Sequence, residues 1–84
     1  MKFKAEINVM PLKELLDPQG KAVALGMKNL NLTGIQDVRI GKHITLHLEA
    51  ADRNEAVQKV ETACKKLLAN PVIEFFEYEV SEAE

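Results

Sequence analysis

Lys2-Phe3-Lys4-Ala5-Glu6-Ile7-Asn8-Val9 puts an apolar side chain at every odd position and a polar one at every even position. A period of two is the pattern of a strand covered on one face and wet on the other, so this stretch predicts a first strand and a sheet with a single apolar side. Downstream, Ile35 to Ile40 and Ile44 to Ala50 read as two further strands separated by Gly41, Lys42 and His43. A two-residue turn would put Ile44, Leu46 and Leu48 on the wrong face. A three-residue loop pairs Ile40 with Ile44 and Val38 with Leu46, and it predicts Gly41 or Lys42 near the left-handed region, or an equivalent bulge.

Helix signals fill the gaps between strands. Asp17 is a cap residue and Pro18 suits the first helical position, and the apolar stripe Ala22, Val23, Met27 and Leu30 follows. Gly26 lies on that stripe at a cost of about 1 kcal/mol relative to alanine, which predicts a close neighbour, the sheet. Asn31 reads as a left-handed stop with Leu32 folding back. A second helix begins at Asp52 with Glu55 at capping-box spacing. Its stripe is Ala56, Val57, Val60, Ala63, Cys64, Leu67 and Leu68, and Asn70 and Pro71 end it. The last strand, from about Val72 to Val80, changes phase between Phe75 and Phe76, so either a bulge resets it or both faces are covered, the second by another molecule.

Two strand-helix-strand units predict an α+β fold: a ferredoxin-like β-α-β-β-α-β sandwich with a four-stranded antiparallel sheet and both helices on one face. Residues 1–84 read as one domain, with Ser81 to Glu84 as a frayed tail. A chain of this length buries only about 60% of the surface its unfolded form exposes, so self-association is expected, with Phe75, Phe76, Tyr78 and the open sheet face as the contact. No apolar run is long enough to span a membrane, no signal-peptide pattern precedes the first strand, and one cysteine forms no internal disulfide. The expectation is a cytoplasmic protein without a membrane partner.

Catalytic groupings are hard to find. Cys64 sits on an apolar stripe and reads as a small buried hydrophobe. His43 and His47 are about 13 Å apart along one strand, too far for one metal ion to bridge. Glu74, Glu77 and Glu79 spread along the last strand and read as a solvated edge that discourages aggregation. The open face would carry Lys2, Lys4, Glu6, Asn8, Thr45, His47 and Glu49 on a chain of net charge -2, without the aromatic platform and basic field that RNA binding uses. The loop after the first strand lacks the arginine of an acylphosphatase, and no Cys-x-x-Cys suggests a metallochaperone. A phosphate before Gly20 would compete with the Asp17 cap.

Three signatures remain: Leu16-Asp17-Pro18-Gln19-Gly20-Lys21-Ala22-Val23, Asp37-Val38-Arg39-Ile40-Gly41-Lys42, and Leu67-Leu68-Ala69-Asn70-Pro71-Val72-Ile73-Glu74. In this order and spacing they resemble the PurS family, the small subunit of bacterial and archaeal phosphoribosylformylglycinamidine synthase, over essentially the whole chain. The resemblance implies a non-catalytic dimer or higher oligomer. It implies two partners: a large ATP-dependent ligase subunit, and a glutaminase subunit that releases ammonia. Such a protein joins the two and aids ammonia transfer. The complex uses ATP, magnesium and glutamine, none of them held by this subunit. No catalytic residue is carried over, and Asp17, Gln19, Arg39 and Lys42 are the candidate partner contacts. An ACT-like regulatory ligand-binding dimer and a small stand-alone enzyme are the alternatives that the sandwich leaves open.

Overall fold

The computed structural model of the chain describes residues 1–83. The alternating stretch that opens the sequence forms β1 (Lys2–Pro11), and its odd positions make the core: Phe3, Ala5, Ile7 and Val9 are all at most 1% exposed. Helix α1 (Pro18–Asn29) follows, then β2 (Lys42–Glu49), α2 (Arg53–Ala63) and β3 (Glu74–Ala83). Both outer strands run antiparallel to β1, giving the order β2-β1-β3. On the inner face Leu48, Leu46 and Ile44 stand opposite Phe3, Ala5 and Ile7, and Val80, Tyr78 and Phe76 stand opposite Ala5, Ile7 and Val9. Helix α2 covers β1 and β3 of that face, and Ala56 and Val60 of the helix and Cys64 just past its end are each fully buried.

The helix boundaries follow their sequence signals closely. Asp17 caps α1 by accepting from the Gly20 amide at 3.0 Å, and Asp52 caps α2 by accepting from Glu55 at 2.9 Å. Glu55 turns to Lys59 instead of completing the reciprocal half of a capping box. Asn31 is left-handed at φ 61, with Leu32 N donating to Met27 O at 3.0 Å and Asn31 N to Lys28 O at 3.0 Å, the paired bonds of a Schellman stop. Past Ala63 the second helix widens into a π turn, Cys64–Leu68, closed by Ala69 N donating to Cys64 O at 3.0 Å. The extra residue turns the stripe by about a quarter revolution, so Leu68 and Ala69 face inward and Leu67 is left 81% exposed.

Several expectations are corrected. The described sheet has three strands, not four, because Ile35–Ile40 forms no ladder. Its polar groups are engaged elsewhere: the Ile40 amide donates to Asp17 at 2.8 Å, and the Val38 carbonyl rests on Gly20. The expected pairing of Ile40 with Ile44 therefore does not form, and β2 pairs with β1 instead. Gly41 does not take a positive φ; among the described residues only Asn31 and Gly34 do. A glycine is needed at 41 because a β-carbon there would overlap the Val9 carbonyl oxygen and the Met10 side chain. Strand β3 keeps one phase, so no bulge is required: Phe76, Tyr78 and Val80 face inward, and Phe75 faces out opposite Met10. Ser81 to Ala83, expected to fray, pair with Lys4, Phe3 and Lys2, and Glu84 lies outside the described residues.

The largest difference concerns α1, which does not lie on the sheet beside α2. Gly26, expected against the sheet, would place a β-carbon in open space, and Gly20 is the helix's one buried residue. A ten-residue strand spans about 33 Å and a 12-residue helix about 18 Å, so the 51 Å long axis matches the two placed end to end. The radius of gyration is 16.5 Å, against about 12 Å for a globular chain of this length. Residues 12–41 thus project from one end of the sheet as an arm, α1 going out and the irregular segment after Asn31 coming back. No helix among the described residues is long and apolar enough to cross a membrane.

Candidate functional site

All three sequence signatures meet where the arm leaves the sheet. Asp17 is the hub of the junction: one carboxylate oxygen accepts from the Gly20 amide at 3.0 Å and the other from the Ile40 amide at 2.8 Å. Gly20 belongs there because a β-carbon would overlap the Val38 carbonyl oxygen. Arg39 reaches back across the loop after β1 and donates to the carbonyls of Leu15 at 2.8 Å and Lys13 at 2.5 Å, with Leu12 O at 3.4 Å and Asp37 Oδ2 at 3.6 Å. The third signature is tied to the same loop, since Leu12 N donates to Ile73 O at 2.9 Å. Asn70 holds that turn: its carbonyl accepts from Ile73 at 3.0 Å and Glu74 at 2.7 Å, and its side chain accepts from Val72 at 3.1 Å.

The four candidate partner contacts therefore divide. Asp17 and Arg39 are committed inward as braces, whereas Gln19 and Lys42 are exposed beside them. The three candidates for self-association divide too. Phe75 faces outward, while Phe76 and Tyr78 stack on the inner face with ring centroids 6.2 Å apart. Burial, followed by the Glu61 charge, raises the Tyr78 hydroxyl pKa. Sequence reasoning missed the exposed apolar groups around the junction and along the arm, of which Leu16 is 68% exposed, Leu30 72% and Val72 77%. The available signal was a surplus: Leu15 beside Leu16, and Leu67 beside Leu68, cannot both point into one core.

Two carboxylates have shifted acidities. The Ile40 amide, seconded by the Gly20 amide, holds Asp17 below the ordinary aspartate value of 3.8. On the open face Glu6 bonds His43, pairs with Lys4 at 3.1 Å and accepts from Thr45 at 3.0 Å, and these groups, His43 foremost, bring it down to about 2. A carboxylate depressed in the folded state stabilises the fold fully above its unfolded value, and that contribution is lost as pH falls through the folded value. Asp17→Asn is therefore expected to lower the melting temperature at neutral pH, with the gap to wild type closing below about pH 4; melting curves from pH 7 to pH 2 measure it. A gap that stays constant across that range would remove the ionised Asp17 from the junction.

What the arrangement offers is surface and bracing. Among the described residues no group of three or more His, Cys, Asp or Glu side chains is placed to hold a metal ion. Cys64 is fully buried, and desolvation raises its thiol pKa, the opposite of a nucleophile's environment. A family model described as PurS, phosphoribosylformylglycinamidine (FGAM) synthase, matches residues 4–82. The chain belongs to the PurS family. The PurS subunit of Bacillus subtilis is 44% identical over 80 residues, 95% of this chain and 94% of the relative. Its crystal structure superposes with a TM-score of 0.85 over 95% of this chain and 99% of that one. PurS of Methanocaldococcus jannaschii, described as one of the subunits of formylglycinamide ribonucleotide amidotransferase in the purine biosynthetic pathway, is 30% identical with a TM-score of 0.84, covering 98% and 99% of the two chains. A chain in the structure of PurLQS from Thermotoga maritima is 35% identical with a TM-score of 0.82 over 99% of both. Within a PurS protein the three signatures form one locked junction that fixes how the arm is held.

Proposed function

We propose that this protein is the small, non-catalytic subunit of FGAM synthase in purine biosynthesis, joining a PurL-type ligase subunit to a PurQ-type glutaminase and aiding ammonia transfer between them. The observation that carries this reading is the likeness, over 99% of both chains, to the chain from the Thermotoga maritima PurLQS structure. Inert side-chain chemistry and an excess of exposed apolar surface support it. ATP, magnesium and glutamine are then handled by the partners, and the setting is the cytoplasm. The protein acts as a homodimer or higher oligomer, in which Ile35–Ile40 can add the fourth strand of a ferredoxin-like sheet.

Reconstitution tests the reading. Alone, the protein neither hydrolyses glutamine nor consumes ATP, having no activated nucleophile and no phosphate cradle among its described residues. Added to the two partners, it raises glutamine-dependent synthesis by at least about tenfold, the factor that about 1.4 kcal/mol of association makes in an equilibrium. Synthesis fed with ammonium salt changes much less, since that route bypasses the glutaminase. Full glutamine-dependent synthesis without the protein would end the joining role.

Gln19 and Lys42 are the partner contacts at the junction, presented by the braces Asp17 and Arg39. Gln19→Ala with Lys42→Glu is expected to leave the melting temperature within about 2 °C, as substitutions on an exposed surface do, while weakening capture of the partners in a pull-down. A double variant that assembles as tightly as wild type would move the contact elsewhere. Arg39→Ala should instead loosen the fold, because it deserts three carbonyls.

A further inference from the structure

We infer that the outer groove of the arm, between α1 and the segment returning from Asn31, docks an acidic amphipathic helix of one of the two enzyme subunits. This deepens the joining role proposed above and rests on it. The groove is lined by Leu25, Leu32 and Ile35 together with Lys21 and Lys28. Leu25 is 60% exposed, and the other two apolar groups are exposed as well, so a partner that covered them would take large apolar surface out of water. The groove is preformed. Asn31, left-handed at φ 61, closes the Schellman stop that lays Leu32 on the last turn of α1, and Gly34, at φ 85, turns the chain to bring Ile35 alongside. Little ordering is left to be done on binding.

Charge chooses the occupant. None of the chain's 13 acidic residues falls between Pro18 and Gln36, where Lys21 and Lys28 are the only charged side chains. Among the described residues neither lysine makes an ion pair. They stand two helical turns apart, about 10 Å, with Leu25 between them on the same face. A helix laid in the groove answers that pattern with two carboxylates at the same separation and apolar side chains between them, which is helix-in-groove recognition with complementary charge. No hydroxyl, amide or carboxylate side chain lines the groove, so a small molecule would find little to orient it. The chain's own acidic surface fits less well, because the open face of β3 sets only Phe75, as a large apolar group, beside Glu77 and Glu79. Position agrees with charge. Lys21, Ala24, Leu25 and Lys28 share one face of α1, while Gln19, Val23, Gly26 and Leu30 lie about half a turn away on the other. A subunit that joins two partners needs two separate surfaces, and the junction contact at Gln19 leaves this one open.

Leu25→Glu is the decisive variant. The site is exposed and helical, and glutamate is also a good helix former, so the variant folds. Purified ligase and glutaminase subunits are each immobilised and probed with the whole protein. Wild type is expected to be held by at least one of them, and Leu25→Glu at least about tenfold more weakly by that subunit, the loss of one central contact. Lys21→Ala with Lys28→Ala should also weaken capture and flatten its fall with rising salt, since two charge pairs no longer form. Sedimentation of the three proteins should be the same. Leu25→Glu held as tightly as wild type, or a salt dependence unchanged in the lysine variant, would overturn the inference and leave the joining role standing. Loss of self-association in Leu25→Glu would overturn it by giving the groove to a second copy. Wild type binding anionic phospholipid vesicles more tightly than either subunit, with Leu25→Glu failing to bind them, would overturn it by giving the groove to a membrane. Capture of wild type by neither subunit would overturn both this inference and the joining role.

Discussion

Gly20→Ala is expected to lower the melting temperature by roughly 10 °C or more, a shift of about 2–3 kcal/mol in a domain this small. The added methyl group would overlap the Val38 carbonyl oxygen and come within 2.9 Å of Asp17 Oδ2. Backbone must move to relieve the first contact, and any movement of Val38 drags Ile40 off the Asp17 carboxylate. One methyl group therefore attacks the cap, the crossing of α1 with the returning segment, and the root of the arm together. Gly34→Ala serves as the reference: it faces open space at φ 85, and its cost is only the left-handed strain of about 1 kcal/mol. Thermal melts of the two variants side by side should rank Gly20→Ala as the more damaging. Equal melting temperatures would mean that the junction gives way without loss.

Phe3→Ala is expected to have the larger effect, about 3–5 kcal/mol, which approaches the whole stability of a domain of this size. Phe3 is 1% exposed in the inner row of the central strand, opposite Leu48 of β2. The variant should be largely unfolded in a urea titration that leaves wild type folded. Phe75→Ala, by contrast, removes an aromatic ring of similar size from the outward side of β3, and its cost should stay within about 1 kcal/mol. Comparable losses from the two phenylalanines would contradict the face assignment.

Much of the fold is legible along the chain because it depends on local rules. The alternation of residues 2–9 fixes which side of β1 is dry, and Ile44, Leu46 and Leu48 obey the same rule. Asp17 with Pro18, Asn31 with Leu32, and Asp52 with Glu55 mark helix ends through hydrogen bonds that reach only three to five residues. The candidate site was half legible. The signatures containing Asp17, Arg39 and Asn70 stood out as more than packing required, and in the fold their residues brace one junction. Arg39 looked free because the three carbonyls it holds are 24 to 27 residues away in sequence.

Sequence by itself marked β1, β2, both helices and their dry faces, through side-chain periodicity and short-range capping chemistry. The family resemblance came separately, from three motifs in order and spacing. Tertiary structure alone decided that Ile35–Ile40 stays out of the ladder and that α1 stands away from the sheet. The apolar stripe of α1 reads identically whether it covers its own sheet or another's, because hydrophobic burial has no memory of which chain supplies the surface. What separates the two outcomes is the seat of Gly20 on Val38 and the reach of Asp17 to Ile40, contacts between residues 18 and 23 positions apart whose meaning appears only once the chain has folded.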